Sequence, residues 1–80
     1  MGAPLYISAG DLTTDAILEA MHEGRRIVVT VETMGNEHDV TLRYDDGIYY
    51  CDTPTRLHRH DRPDEMRTCI RKMGYAAEEA

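Results

Sequence analysis

Four side chains in the second half of the chain, Cys51, His58, His60 and Cys69, follow the pattern C-x6-H-x-H-x8-C. Two thiolates and two imidazoles form a donor set that suits tetrahedral zinc. The spacing matches none of the common zinc motifs, and neither cysteine has a close cysteine partner. A free thiol also serves as a small hydrophobe. Structural, reduced thiols are therefore the first expectation for Cys51 and Cys69, zinc on Cys51, His58, His60 and Cys69 is the alternative, and no metal or cofactor is assigned. A cysteine or tyrosine nucleophile needs a base or a helix N-terminus beside it, and nothing local marks such a pair.

The same segment concentrates positive charge. Residues 1–54 sum to −7, residues 55–72 to +3 and residues 73–80 to −2. Arg56, His58, Arg59, His60, Arg62 and Arg67 therefore form the candidate set for an anion or nucleic acid, Arg59 and Arg62 flanking a helix start whose backbone N–H groups also attract anions. The competing expectation is a solvated face in which these groups pair with Asp61, Asp64 and Glu65. No glycine-rich phosphate loop follows a strand, and Asp45-Asp46 lacks the remaining positions of a calcium loop.

Eighty residues make one domain with one thin core, since a chain this short buries only about 60% of the surface its unfolded form exposes. Hydrophobic residues make up 41% of it, enough for a packed interior, and with Phe and Trp absent that interior is aliphatic, supplemented by Met and Tyr. Neither a bilayer-spanning apolar run nor a signal-peptide pattern is present, which together with only two cysteines predicts a cytoplasmic protein without membrane contact. The formal charge is −6, carried with eight Arg and only Lys72 as lysine. That balance suits a concentrated-salt cytoplasm, where salt screens carboxylate repulsion; a GC-rich genome accounts for it equally well.

The elements that must position these side chains follow from periodicity. Asp11 to Asp15 offers capping oxygens for a first helix carrying Ala16, Ile17, Ala20 and Met21 on one side and stopped by Gly24. The β-branched run 27–31 reads as a central strand, and Val40, Leu42 and Tyr44 alternate with polar residues in a second. Asp46-Gly47 is a strong hairpin signal, so Ile48 to Cys51 pairs antiparallel with 40–44. Thr53-Pro54 breaks the ladder, residues 55–60 are extended or irregular, and Pro63 opens a second helix whose stripe is Met66, Cys69, Ile70 and Met73, closed by Gly74-Tyr75. The predicted fold is α+β, an α-β-β-β-α chain with a three-stranded antiparallel meander and both helices on one face, residues 1–10 and 76–80 being poorly ordered. The predicted core is Ile17, Met21, Val29, Val31, Leu42, Ile70 and Met73.

That element order is similar to the double-stranded-RNA-binding domain, in which the start of the second helix meets phosphates; here Pro63-Asp64-Glu65-Met66-Arg67 places two carboxylates at that point. Separately, Tyr50-Cys51-Asp52-Thr53-Pro54, Leu57-His58 and the stretch from Met66 to Tyr75 resemble short proteins of halophilic archaea, over most of the chain. That resemblance implies no activity. Small size, the absence of a catalytic signature and unprotected sheet edges predict a non-enzymatic binding or regulatory module acting through a protein partner or a homodimer, with nucleic-acid or anion binding through 56–72 as the second expectation.

Overall fold

The Thr13 hydroxyl accepts a hydrogen bond from the Ala16 amide at 3.2 Å and so starts the first helix, α1 (Thr14–His22). A computed structural model describes residues 3–77. Its other elements are β1 (Leu5–Ser8), β2 (Ile27–Thr33), β3 (Asn36–Asp45), β4 (Ile48–Asp52), β5 (Leu57–His60) and the second helix, α2 (Pro63–Met73). The five strands form one sheet in the order β1-β2-β3-β4-β5, with β1 parallel to β2 and every other neighbour antiparallel.

The fold is thus α+β, but the three-stranded meander is corrected to five strands and the α-β-β-β-α order to β-α-β-β-β-β-α. The analogy with the double-stranded-RNA-binding order ends with that correction. Leu5–Ser8, which lies in the segment expected to be poorly ordered, is a parallel edge strand reached through α1. It is fastened by the Leu5 amide on the Arg26 carbonyl at 2.8 Å and by Arg25 Nε on the Ala3 carbonyl at 3.0 Å. At the other end Pro54 redirects the chain without ending the ladder. It sits in a tight turn in which the Thr53 amide donates to the Arg56 carbonyl at 2.8 Å and the Thr53 hydroxyl accepts from the Arg56 amide at 2.9 Å. Cys51 and Asp52 then face His58 and Leu57 across β4 and β5.

Two of the three antiparallel connections are two-residue turns. Met34 and Gly35, and again Asp46 and Gly47, adopt positive φ (51°, 82°, 50° and 82°), matching the type I′ turns whose twist suits tight antiparallel connections. Strand alternation then sorts the sheet. Ile27, Val29, Val40, Leu42, Tyr49 and Cys51 are buried in one cluster with Ile17, Leu18 and Met21 of α1 and Met66 and Ile70 of α2. Tyr6, Val28, Arg43, Tyr50, Leu57 and Arg59 alternate with the inner-facing residues and lie on the opposite, open face.

Of the predicted core, Ile17, Met21, Val29, Leu42 and Ile70 are fully buried and Val31 is partly so, whereas Met73 is 49% exposed. The cause lies in the helix stop. Gly74 takes the left-handed conformation (φ 76°), its amide bonding the Arg71 carbonyl and the Tyr75 amide the Ile70 carbonyl, which is a Schellman turn. That turn folds Tyr75 (2% exposed) back under the helix into the space the stripe assigned to Met73. Ala77 is tied to the Leu12 carbonyl at 2.7 Å, and the rest of the expected fraying, 78–80, lies outside the described residues.

Candidate functional site

The inner face of β4 and β5 differs from the rest of the sheet in carrying sulfur and imidazole in place of aliphatic side chains. Cys51 is paired with His58 across the ladder, and His60 follows two positions along on the same side. α2 crosses above them with Cys69, half-buried, over the buried Cys51. The four residues singled out by type are therefore brought together between sheet and helix. Among the described residues, however, no three His, Cys, Asp or Glu side chains stand in an arrangement that could hold a metal ion. The cluster is held by contacts among its own groups.

Those contacts polarise the two thiols in opposite directions. Cys69 is drawn down to about 5, first by the Cys51 thiol beside it, then by the His60 ring and more distantly by His58, against the opposing effect of burial. Cys51 is pushed up, first by Cys69 and then by its burial. The Cys51 thiol also donates to the Tyr75 hydroxyl at 3.8 Å, and burial first of all raises Tyr75. His60 turns Nδ1 toward Glu65 Oε1 at 3.8 Å and leaves Nε2 buried with no hydrogen-bond partner. The more exposed Cys69 is thus favoured over the buried Cys51 as the thiol of the pair that ionises first.

The predicted anion set is split up by the same fold. Arg62 pairs with Asp64 at 3.3 Å, Arg67 pairs with Asp15 of α1, and His60 faces Glu65. Arg59 points to the open face, opposite Tyr50, whose ring also carries the Arg43 guanidinium at 4.0 Å. Only Arg56 and His58 remain together. They line a groove of about 540 Å³ at the end of the sheet, with Val40, Pro54, Met73 and Tyr75 as its apolar surface and His38 as a third basic group. Among the described residues no carboxylate lines it.

Sequence reasoning missed this groove because its parts come from β3, the Thr53 turn, β5 and the C-terminal end of α2. The available signal was Tyr75 placed directly after a helix-stopping glycine, which makes the preceding Met73 a surface residue. The family model of a family of unknown function, DUF8001, matches residues 1–78. The chain belongs to that family. No curated protein and no solved structure matches the chain. Membership of DUF8001 spans the sulfur–imidazole cluster and the groove alike and attaches no chemistry to either.

Proposed function

We propose that the chain is a non-enzymatic cytoplasmic binding module whose groove receives an extended segment of a protein partner, presenting an apolar side chain next to a carboxylate. The observation that carries this reading is the composition of the groove: an apolar surface rimmed by His38, Arg56 and His58, with no acidic lining residue among the described residues, in a chain of net charge −6. In a chain with an acidic excess a basic rim is a selective feature, because the carboxylates elsewhere turn away misplaced acidic partners. The volume falls within the range of about 300–1,000 Å³ common to ligand sites. Edge strand β5 leads out of the groove, so the partner's backbone has a row of N–H and C=O groups to pair with. Self-pairing along β5 sets Arg and His side chains of two copies against each other, which favours a different chain as the partner. In concentrated salt the charge contribution shrinks and the apolar contact carries the affinity.

No helix among the described residues is long and apolar enough to cross a membrane. The cytoplasmic setting of the proposal rests on the two thiols being free.

Selection of a displayed random-peptide library on the full chain tests the reading. Enriched peptides should place Asp or Glu beside Leu, Ile or Met, and R56E should weaken their binding at least about tenfold, equivalent to about 1.4 kcal/mol. Arg56 is exposed, so the substitution should leave the unfolding midpoint in place. Enrichment without acidic residues, or peptide binding that survives both R56E and M73D, contradicts the proposal.

A second reading has one observation of its own. Arg43, Tyr50 and Arg59 stand in a row across β3, β4 and β5 on the open face, an aromatic ring between two guanidinium groups. Stacking with flanking cations is how single-stranded nucleic acid is held without sequence preference. Fluorescence titration of labelled single-stranded RNA should then show binding that falls with salt and is lost in the R43E/R59E double variant. Absence of binding at low salt removes this reading.

A further inference from the structure

We propose that Cys69 is a site of reversible oxidation by hydroperoxides, with Cys51 as the thiol that resolves it into an intramolecular disulfide. The geometry supplies each part. Cys69 is half-buried on α2 and open to a small oxidant, while Cys51 lies directly behind it, 1% exposed and shielded from solvent. Met66 and Ile70, which neighbour Cys69 on α2, share one buried cluster with Cys51, so a bond between the two thiols would join β4 to α2 across the sheet–helix interface. His58 faces Cys51 across the ladder, and His60 sits against Cys69 with its ring turned by Glu65. Two thiols packed only as small hydrophobes need none of these polar neighbours. Nε2 of His60 is buried without a hydrogen-bond partner among the described residues, and a buried polar atom of that kind calls for an explanation that an ionised sulfur nearby would supply.

The chemistry balances with a hydroperoxide as the oxidant. The Cys69 thiolate attacks the terminal peroxide oxygen and the O–O bond breaks, leaving a sulfenic acid on Cys69 and, for hydrogen peroxide, a hydroxide that takes a proton to become water. The Cys51 sulfur then attacks the Cys69 sulfur. The S–O bond breaks as the S–S bond forms, and the departing hydroxyl leaves as a second water with the Cys51 proton. The two sulfurs together lose two electrons and the peroxide is reduced to two waters. Thiols of the reducing pool reverse the reaction by exchange.

Treating the reduced full-length chain with hydrogen peroxide tests the inference. The expected product is a monomer lighter by two hydrogens, with peptide mapping that joins Cys51 to Cys69. C51S should instead accumulate a sulfenic acid on Cys69 that dimedone traps, and in C69S the remaining thiol should react at least about tenfold more slowly than Cys69 in the parent chain. Alkylation of Cys69 by iodoacetamide should hold its rate below neutral pH and fall only near about 5, because the thiolate is the reactive form and persists down to that value. Circular dichroism of both serine variants confirms that the fold survives. The inference is overturned if the two thiols react at one slow rate in the folded chain, if oxidation yields only disulfide-linked dimers, or if one zinc per chain co-purifies and must be removed before either thiol reacts.

Discussion

Replacing Ile70 with alanine should destabilise the chain by about 2–5 kcal/mol, the range for truncating a fully buried aliphatic side chain that leaves a cavity. Ile70 is completely buried on α2, in the cluster it shares with Ile17 and Met21 of α1 and Leu42 of the central sheet. Its carbonyl also accepts the Tyr75 amide, so the residue stands at the turn that folds Tyr75 inward. Domains of this size are stable by about 5–15 kcal/mol in total, and each kcal/mol moves the melting temperature by about 4–8 °C. Thermal and denaturant unfolding followed by circular dichroism read the change directly. Met73, one turn further along the same stripe but about half exposed, is the internal comparison: M73A should cost less than about 0.5 kcal/mol. Equal costs at the two positions contradict the inward turn of Tyr75.

The second large effect belongs to the N-terminal strand. Removing residues 1–8 should cost about 3 kcal/mol, because Leu5 and Ile7 each lose part of their burial and the flank of β2 is newly opened to water. The strand also supplies the partner for the Arg25 guanidinium and for the Arg26 carbonyl. A truncated chain should unfold at much lower urea concentration with a slope that stays proportional to its reduced buried surface. If Leu5–Ser8 were irregular, truncation would change stability by only a few tenths of a kcal/mol, and that result contradicts the five-stranded sheet.

Why this strand was hard to read is instructive. Leu5-Tyr6-Ile7 is three residues between Pro4 and the Ser8-Ala9-Gly10 turn, too short for a period to show, and a parallel edge has no hairpin turn to announce it. β5 was hidden for another reason. Its inner-facing residues are His58 and His60, so the polar-apolar alternation that marks Val40 to Tyr44 is missing, and Pro54 resembles a ladder break when it is a turn residue. Where local chemistry is strong, residue type and structure agree: Thr13 is the one of the several capping oxygens between Asp11 and Asp15 that caps α1, and Asp46-Gly47, Pro63 and Gly74 sit at the turn, helix start and helix stop their types suit.

The same contrast runs through the candidate site. Residue type and spacing singled out Cys51, His58, His60 and Cys69 only as a zinc alternative to structural thiols, and the structure places them near one another without an arrangement, among the described residues, that could hold a metal ion. The dispersal of the arginines was not legible, since it depends on strand parity for Arg59 and on a long-range pair for Arg67 with Asp15. The groove was invisible for the same reason, being assembled from four separate parts of the chain.

The central claim, that the His38–Arg56–His58 groove is the binding surface, is tested most directly by nuclear magnetic resonance. A peptide with an apolar residue beside a carboxylate, taken from the library selection, is titrated into isotope-labelled chain. The account predicts that amide shifts concentrate at His38, Thr53, Arg56, His58 and Tyr75, the residues that border the groove. Shifts concentrated instead at Tyr6, Val28, Arg43 and Tyr50 on the open face, or no shifts at saturating peptide, contradict it.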